Sequence, residues 1–341
     1  MKHKTIFVTG GLGFIGGHFV TTVSQQSPDT TLVVIDKNTY AANPERMAPV
    51  LAKENVFYFE EDIVDAAKMD ALFARFQPDA VVHFAAESHV DKSIQGPKAF
   101  LQSNVVGTFT LLEAARECWM KAPHQCKEGF EHARFYQIST DEVFGSLGDA
   151  GAFSEQSNYA PNSPYSASKA AADHWVRSYY HTYGLPTLTT QCSNNYGPYQ
   201  HGEKLIPTII RNAVNETAVP LYGDGKNVRD WLYVGDHCDA ILRVLTSAPA
   251  GATYTIGGNA TRTNLELCTL LLERLDRLYP RSNNQSYTEL IEFVTDRPGH
   301  DYRYAIDAGK IGEEMHWAPK VALEKGLEKT ILHYLKEYTN K

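Results

Sequence analysis

Short runs of β-branched and other apolar residues alternate with stretches of helical period through the first 195 residues. The runs at 5–9, 32–36, 56–59, 80–84, 134–139 and 187–192 read as strands. Between them, 97–118 carries Phe100, Leu101, Val105, Phe109, Leu112 and Ala115 at mostly helical spacing, and 164–183 reads as a second long helix. Both are expected to be amphipathic. Strand and helix in alternation predict an α/β fold: a Rossmann-like, doubly wound parallel sheet with helices on both faces. Beyond Asn195 the pattern loosens into Gly- and Pro-rich turns such as 222–225, with helices expected near 235–246, 264–279 and 323–338. The division that follows is 1–195 for the sheet domain and 196–341 for a smaller C-terminal lobe, with a segment near 230–250 returning to the sheet. No internal repeat is visible, and the polar stretch 280–286 reads as a loop.

Composition narrows the class. A chain of 341 residues with 43% apolar content is long enough for one large domain or two lobes sharing a core, and fits a soluble globular protein. Its 32 basic and 40 acidic residues give a net charge of -8, which argues against a nucleic-acid partner, so any anionic ligand must be met by local donors. The first four residues are polar and run straight into a strand, with neither a leader-like segment nor a membrane-spanning apolar run. A cytoplasmic, unprocessed protein without membrane association is expected. Cys118, Cys126, Cys192, Cys238 and Cys268 are scattered and lack CxxC spacing, so reduced thiols are expected, with no disulfide framework and no metal site.

Candidate chemistry begins at Gly10, Gly13 and Gly16, spaced GxxGxxG directly after the strand 5–9 and opening a helix through Phe14 and Ile15. Glycines let backbone N–H groups approach a pyrophosphate at a helix N-terminus. The spacing alone is weak, since such turns are often only tight connections, but Asp36 closes the second strand 20 residues after Gly16. A carboxylate there accepts from an adenosine ribose and repels a 2′-phosphate, which points to NAD, with Lys37 the one complication. Asp62 and Ile63, after the third strand, are expected beside the adenine, although a helix cap explains Asp62 nearly as well. Tyr165 and Lys169 fall at i and i+4 on one helix face, where the ammonium can lower the phenol pKa and make Tyr165 a usable base. The strand 134–139 ends in Ser139-Thr140-Asp141-Glu142, at the sheet edge where ligands of such folds bind. Environments that push the two carboxyl pKa values apart would leave one acid and one base, with Thr140 offering a neutral hydrogen bond.

These residues sit in motifs that run along nearly the whole chain: TGGLGFIG from Thr9, DKNTYA from Asp36, HFAAESHVDKSI from His83, STDEVFG from Ser139, YSASKAAAD from Tyr165, NNYGPYQHGEKLIP from Asn194, GDGKNVRDWLYV from Gly223 and DRPGHDYRYAID from Asp296. In them the chain resembles the extended short-chain dehydrogenase/reductases and, within these, the dTDP-glucose 4,6-dehydratase family. The Thr-Asp-Glu triplet is the most specific signal, separating such dehydratases from sugar epimerases that share YxxxK. The resemblance implies that Tyr165 deprotonates the sugar C4 hydroxyl as hydride passes to NAD. Glu142 then removes the C5 proton while Asp141 protonates the departing C6 hydroxyl, and the hydride returns to C6. It also implies cofactor contacts from Lys37, Asn38, Phe84, Ala85, Ala86, Ser88 and Ser103. For the nucleotide-sugar substrate, dTDP-glucose, it implies Ser88, Thr140, Asn195, Lys204, Leu205, Pro220, Tyr222 and Asn264, with Arg229 as a diphosphate clamp and Asp296, Arg297 and His300 in one loop. A homodimer joined through helices 97–118 and 164–183 is implied as well. Departures from the family pattern are Asn38, Ala42, Ser103 and Gly235, none at the proposed chemistry. A 4-epimerase, a 4,6-dehydratase for another nucleotide, and a non-catalytic NAD-binding protein on the same fold remain as alternatives.

Overall fold

The computed structural model describes residues 3–339. Met1 and Lys2 of the expected polar start, and Asn340 and Lys341 of the expected lobe, lie outside the described residues. Strands β1 (Thr5–Thr9), β2 (Thr31–Ile35), β3 (Val56–Phe59), β4 (Ala80–His83), β5 (Arg134–Thr140) and β6 (Thr187–Cys192) form one sheet, joined later in the chain by β10 (Thr253–Ile256). Its order is β10-β6-β5-β4-β1-β2-β3, and every pairing in it is parallel. Because β1 has β2 on one side and β4 on the other, sheet growth reverses direction there, and a crevice opens beyond the carboxyl ends of those strands.

Strands β1, β2 and β4 read as largely apolar runs because both faces are covered. Ile6 and Val8 enter one core with Ile241 and Leu245, while Phe7 enters the opposite core with Leu111, Leu112 and Val176. Each such side chain contributes about 1.5–3 kcal/mol on burial. The first face is laid down by α1 (Phe14–Gln26) and α5 (Val234–Ser247), the second by α2 (Gly107–Trp119) and α3 (Pro164–Tyr183). Helix α3 starts where it does because Ser163 and Ser166 cap each other and Pro164 occupies the first turn; it stops at Gly184, whose φ of 71° suits glycine.

The lobe is built on a third core holding Ile209 of α4 (Leu205–Val214), Leu271 of α6 (Asn264–Leu278) and Ile331 of α7 (Leu323–Thr339). Its strands are β7 (Asn194–Tyr196), β8 (Val219–Tyr222), β9 (Val228–Tyr233), β11 (Thr261–Thr263) and β12 (Ile291–Val294); β9 joins β7 to β11, and β8 pairs with β12.

One expected element differs. The stretch 97–118 is not a continuous α-helix but a short helix (Pro97–Phe100), a π-helical turn (Leu101–Val106) and then α2. Asn104 in the turn supplies a reason: its amide accepts from Glu87 N at 2.8 Å and donates to Glu87 O at 3.0 Å and Ser168 Oγ at 2.8 Å. The wider turn lets one side chain hold both the loop after β4 and α3.

Candidate active site

The turn after β1 is closed by crowding that only glycine tolerates. Gly10 has φ +68°, and a Cβ on it would lie 2.6 Å from Ala85 N; one on Gly16 would collide with the Gly10 carbonyl. Helix α1 opens immediately afterwards with no side-chain cap and no acid in its first turn. Its free N–H groups and dipole therefore suit a phosphate.

Asp36, just past β2, is fixed by accepting Leu12 N at 3.0 Å and Asn38 N at 2.9 Å. Burial raises its pKa, and those two N–H groups oppose the rise. Lys37 is drawn away by other partners: its ammonium donates to Ser103 Oγ at 2.8 Å and lies 3.7 Å from Asp62 and 3.8 Å from Glu87. Gly13, Phe14, Ile15, Ile63, Phe84, Ala85, Ala86 and Ser88 line the same cleft, whereas Asn38 stands outside its lining and donates to Glu60. A bare helix N-terminus, a glycine-tight turn and an anchored carboxylate together fit a dinucleotide.

Thr140, Asp141, Glu142, Tyr165 and Lys169 line the other end of this cleft. Strand β5 delivers the first three at its carboxyl end, where Thr140 caps a single 3-10 turn, and the first turns of α3 deliver the other two. Lys169 Nζ donates to Ile138 O at 2.8 Å. Burial pushes the Lys169 pKa down, and the charge of Asp173 pushes it back up. Burial also raises the Tyr165 phenol, with the Glu142 charge adding to it and the Thr140 hydroxyl opposing.

The adjacent carboxyls share burial but differ in their neighbouring charges. Asp141 is raised well above the ordinary carboxyl range, by burial first and then by the charges of Glu142 and Asp230. Its Oδ2 is buried with no hydrogen-bond partner among the described residues, as an acid awaiting an acceptor would be. Glu142 is also raised by burial, but Lys204, Arg297 and Arg229 all pull it back toward the anion. Unequal environments for two adjacent carboxyls are how one site can offer both an acid and a base.

The expected substrate residues divide into two groups. Ser88, Asn195 and Lys204 line the cleft, and Lys204 Nζ reaches Ser88 O at 2.8 Å. Leu205, Pro220, Tyr222, Arg229, Asn264, Asp296, Arg297 and His300 lie outside that lining. Leu205 packs toward the lobe core, Pro220 is exposed on β8, and Asn264 begins α6 with its Oδ1 buried and unpartnered. His300 Nδ1 meets Asp296 Oδ1 at 2.6 Å, with the Tyr222 ring edge-on to the imidazole. Arg229 is more heavily committed than a free clamp: it donates to the carbonyls of Val228, Tyr302 and Asp301, and its guanidinium lies 4.2 Å above the Tyr304 ring. Arg297 Nη1 lies 3.4 Å from Asp91 Oδ1, but its buried Nε has no partner among the described residues, so it and Lys204 supply less committed donors than Arg229.

Sequence reasoning missed Asp173. Its carboxylate accepts from Ser139 Oγ at 2.7 Å, Tyr159 OH at 2.9 Å and Gln137 Nε2 at 3.3 Å, forming the polar floor beneath Lys169. The signal was an acid one turn past Lys169, on the buried face of an amphipathic helix.

The chain belongs to the GDP-mannose 4,6 dehydratase family, whose sequence pattern matches residues 7–330. It is 50% identical over 335 residues to the dTDP-glucose 4,6-dehydratase of Xanthomonas campestris pv. campestris strain B100, covering 98% of this chain and 94% of that one. Against dTDP-glucose 4,6-dehydratase 1 of Escherichia coli K12 the identity is 49% over 339 residues, covering 97% and 92%. Among solved structures, a dTDP-glucose 4,6-dehydratase of Streptomyces venezuelae with NAD bound superposes with a TM-score of 0.87 at 42% identity, covering 98% of both chains.

Proposed function

We propose that this protein is an NAD-dependent dTDP-glucose 4,6-dehydratase, a hydro-lyase giving the 4-keto-6-deoxy sugar nucleotide. The observation that carries the reading is the adjacent pair Asp141 and Glu142 in one cleft with Tyr165 and Lys169, the Asp141 carboxyl pushed well above its ordinary range and Glu142 held back by the cations Lys204 and Arg297. Gly10, Gly13, Gly16 and Asp36 would hold NAD, which when bound supplies a two-electron acceptor for the sugar C4 that is restored within the turnover. Tyr165 takes the C4 hydroxyl proton, and Lys169 beneath it supplies the positive charge that favours the phenolate. The new C4 ketone acidifies C5–H, Glu142 accepts that proton, and Asp141 gives its own proton to the C6 hydroxyl as water leaves. A 4-epimerase needs only the redox base and gives no use to the acid–base pair. Relatives at about half identity over nearly the whole chain favour the thymidine nucleotide over the guanosine nucleotide of the family's name. Incubation with dTDP-glucose, UDP-glucose and GDP-mannose tests this: a 4-keto-6-deoxy product chiefly from dTDP-glucose supports the reading, and a C4 epimer overturns it.

Cofactor choice gives a first prediction. A 2′-phosphate would face Asp36, and Lys37 is engaged with Ser103, Asp62 and Glu87. About 2 kcal/mol of repulsion at the surface of a cleft corresponds to roughly 30-fold weaker binding of NADP than NAD. Equal affinities in calorimetric titration would overturn the assignment.

A second copy of the chain is the proposed partner, docked along α2 and α3. Leu101 in the π-helical turn before α2, Phe109 on α2 and Trp175 on α3 are exposed, and the Phe109 and Trp175 rings meet edge to face at 5.5 Å. Covering large exposed apolar side chains is what a homodimer would do. Sedimentation should give a dimer at micromolar concentration, and Trp175→Glu should shift it toward monomer. A monomeric unsubstituted protein would sink the proposal. No described helix is long and apolar enough to cross a membrane.

A further inference from the structure

At the edge of the sheet opposite the cleft, three side chains converge that the reaction does not use. Asp79 directly precedes β4, His132 lies just before β5, and His3 lies just before β1. One ligand atom from each falls within 4.8 Å of the others. The carboxylate of Asp79 is anchored by backbone donors: Lys4 N at 3.1 Å to Oδ1 and 2.8 Å to Oδ2, and Thr5 N at 3.0 Å to Oδ1. His132 Nε2 stands 3.3 Å from Asp79 Oδ2.

The informative atom is His3 Nδ1. On the other side of the same ring, Nε2 lies 3.3 Å from Leu245 O. A carbonyl oxygen only accepts, so Nε2 carries the hydrogen and the neutral ring presents a bare lone pair at Nδ1. That atom is buried, has no hydrogen-bond partner among the described residues, and lies 3.9 Å from Asp79 Oδ1 in a residue only 2% exposed. A lone pair and a carboxylate facing each other out of water repel unless something positive lies between them. Arg134 does not fill this role, because its Nη1 turns to the carbonyl of Ala133. A proton on Nδ1 would relieve one contact. A divalent cation would satisfy Nδ1, the carboxylate and His132 Nε2 together.

We propose that His3, Asp79 and His132 form a divalent transition-metal site of the zinc class at the amino ends of β1, β4 and β5. Two imidazole nitrogens and one carboxylate oxygen are a donor set for Zn²⁺ or Co²⁺. Bonds of about 2.1 Å around a tetrahedral ion put ligand atoms about 3.4 Å apart, so the three groups, already within 4.8 Å of one another, need close by at most about 1.4 Å. Leu245 O and the backbone N–H groups at Asp79 are the outer partners that orient metal ligands in built sites. The side chain of His132 is 31% exposed, which gives an ion a way in and leaves room for water as a further ligand.

The test uses untagged, chelator-washed full-length protein loaded with NAD, titrated with Co²⁺ and then displaced with Zn²⁺. The proposal expects one Co²⁺ per chain with visible tetrahedral absorption, and a rise in Tm of about 4 °C with Zn²⁺ at a hundredfold excess over Kd. His132→Ala should weaken binding at least about tenfold while leaving the metal-free Tm and the dehydratase rate unchanged. His3→Gln serves as a second variant that keeps a polar side chain. Absence of stoichiometric Co²⁺ at 100-fold excess, or equal affinity in both variants and the unsubstituted protein, overturns the site.

Discussion

Tyr165→Phe is expected to lower kcat by about 10² to 10⁴-fold, the range for removal of a positioned general base. The substitution deletes one oxygen and keeps the ring that meets Phe100 edge to face, so folding should be intact. Of the groups beside the phenol, Glu142 is assigned to the C5 proton, and Lys169 and Thr140 cannot take over the C4 proton. Lys169 is committed to the Ile138 carbonyl, and the Thr140 hydroxyl lacks the basicity. Because the C5 proton becomes acidic only once C4 is a ketone, exchange of C5–H with solvent should vanish along with product. A single-turnover experiment reads both: neither the absorbance of reduced nicotinamide nor C5 deuterium incorporation should appear. Absorbance rising at the unsubstituted rate would remove Tyr165 from the oxidation step.

The middle of the sheet was legible because its strands are covered on both faces: Phe7 feeds one core and Ile6 and Val8 the other, so β1, β2 and β4 are largely apolar runs. Strand β10 was not legible. Its sequence, Thr253–Ile256, mixes threonine with Tyr254 and follows a turn, and it becomes a strand by pairing with β6 across 60 residues of intervening chain. Nor did the period reveal the π-helical turn at Leu101–Val106, since one extra residue per turn barely disturbs an apolar stripe and the cause is the tertiary contact of Asn104 with Glu87. Chemistry declared itself where it depends on local spacing, as in the glycine turn, the i and i+4 pair, and the adjacent carboxyls. It stayed hidden where it depends on distant donors. The difference between Asp141 and Glu142 comes from Lys204 and Arg297, which oppose the rise at Glu142, and the committed state of Arg229 comes from carbonyls at 301 and 302; neither follows from neighbours in sequence.

Glu142→Gln and Asp141→Asn should separate the two proton transfers of elimination. In Glu142→Gln the oxidation at C4 proceeds, since Tyr165 and Lys169 are untouched, but the group that accepts the C5 proton is gone. Product formation and C5 exchange should fall together by about 10³-fold, while reduced-nicotinamide absorbance builds up instead of passing transiently. Removing the Glu142 anion also removes the charge that ranks second among the causes raising both the Tyr165 phenol and the Asp141 carboxyl, so C4 oxidation should shift to lower pH. Asp141→Asn removes only the proton donor for the C6 hydroxyl. Oxidation and C5 exchange should persist, and water loss should drop by about 10² to 10³-fold because hydroxide is a poor leaving group without the acid. Substrate deuterated at C4 makes the comparison decisive: the label is lost from C4 in both variants, and reaches C6 only at the rate at which water departs. Adjacent carboxyls can shield one another, so the double amide variant should show C4 oxidation with neither exchange nor product. Product from Glu142→Gln at the unsubstituted rate would remove the C5 base from Glu142 and, with it, the reason for preferring a dehydratase to a simpler sugar oxidoreductase.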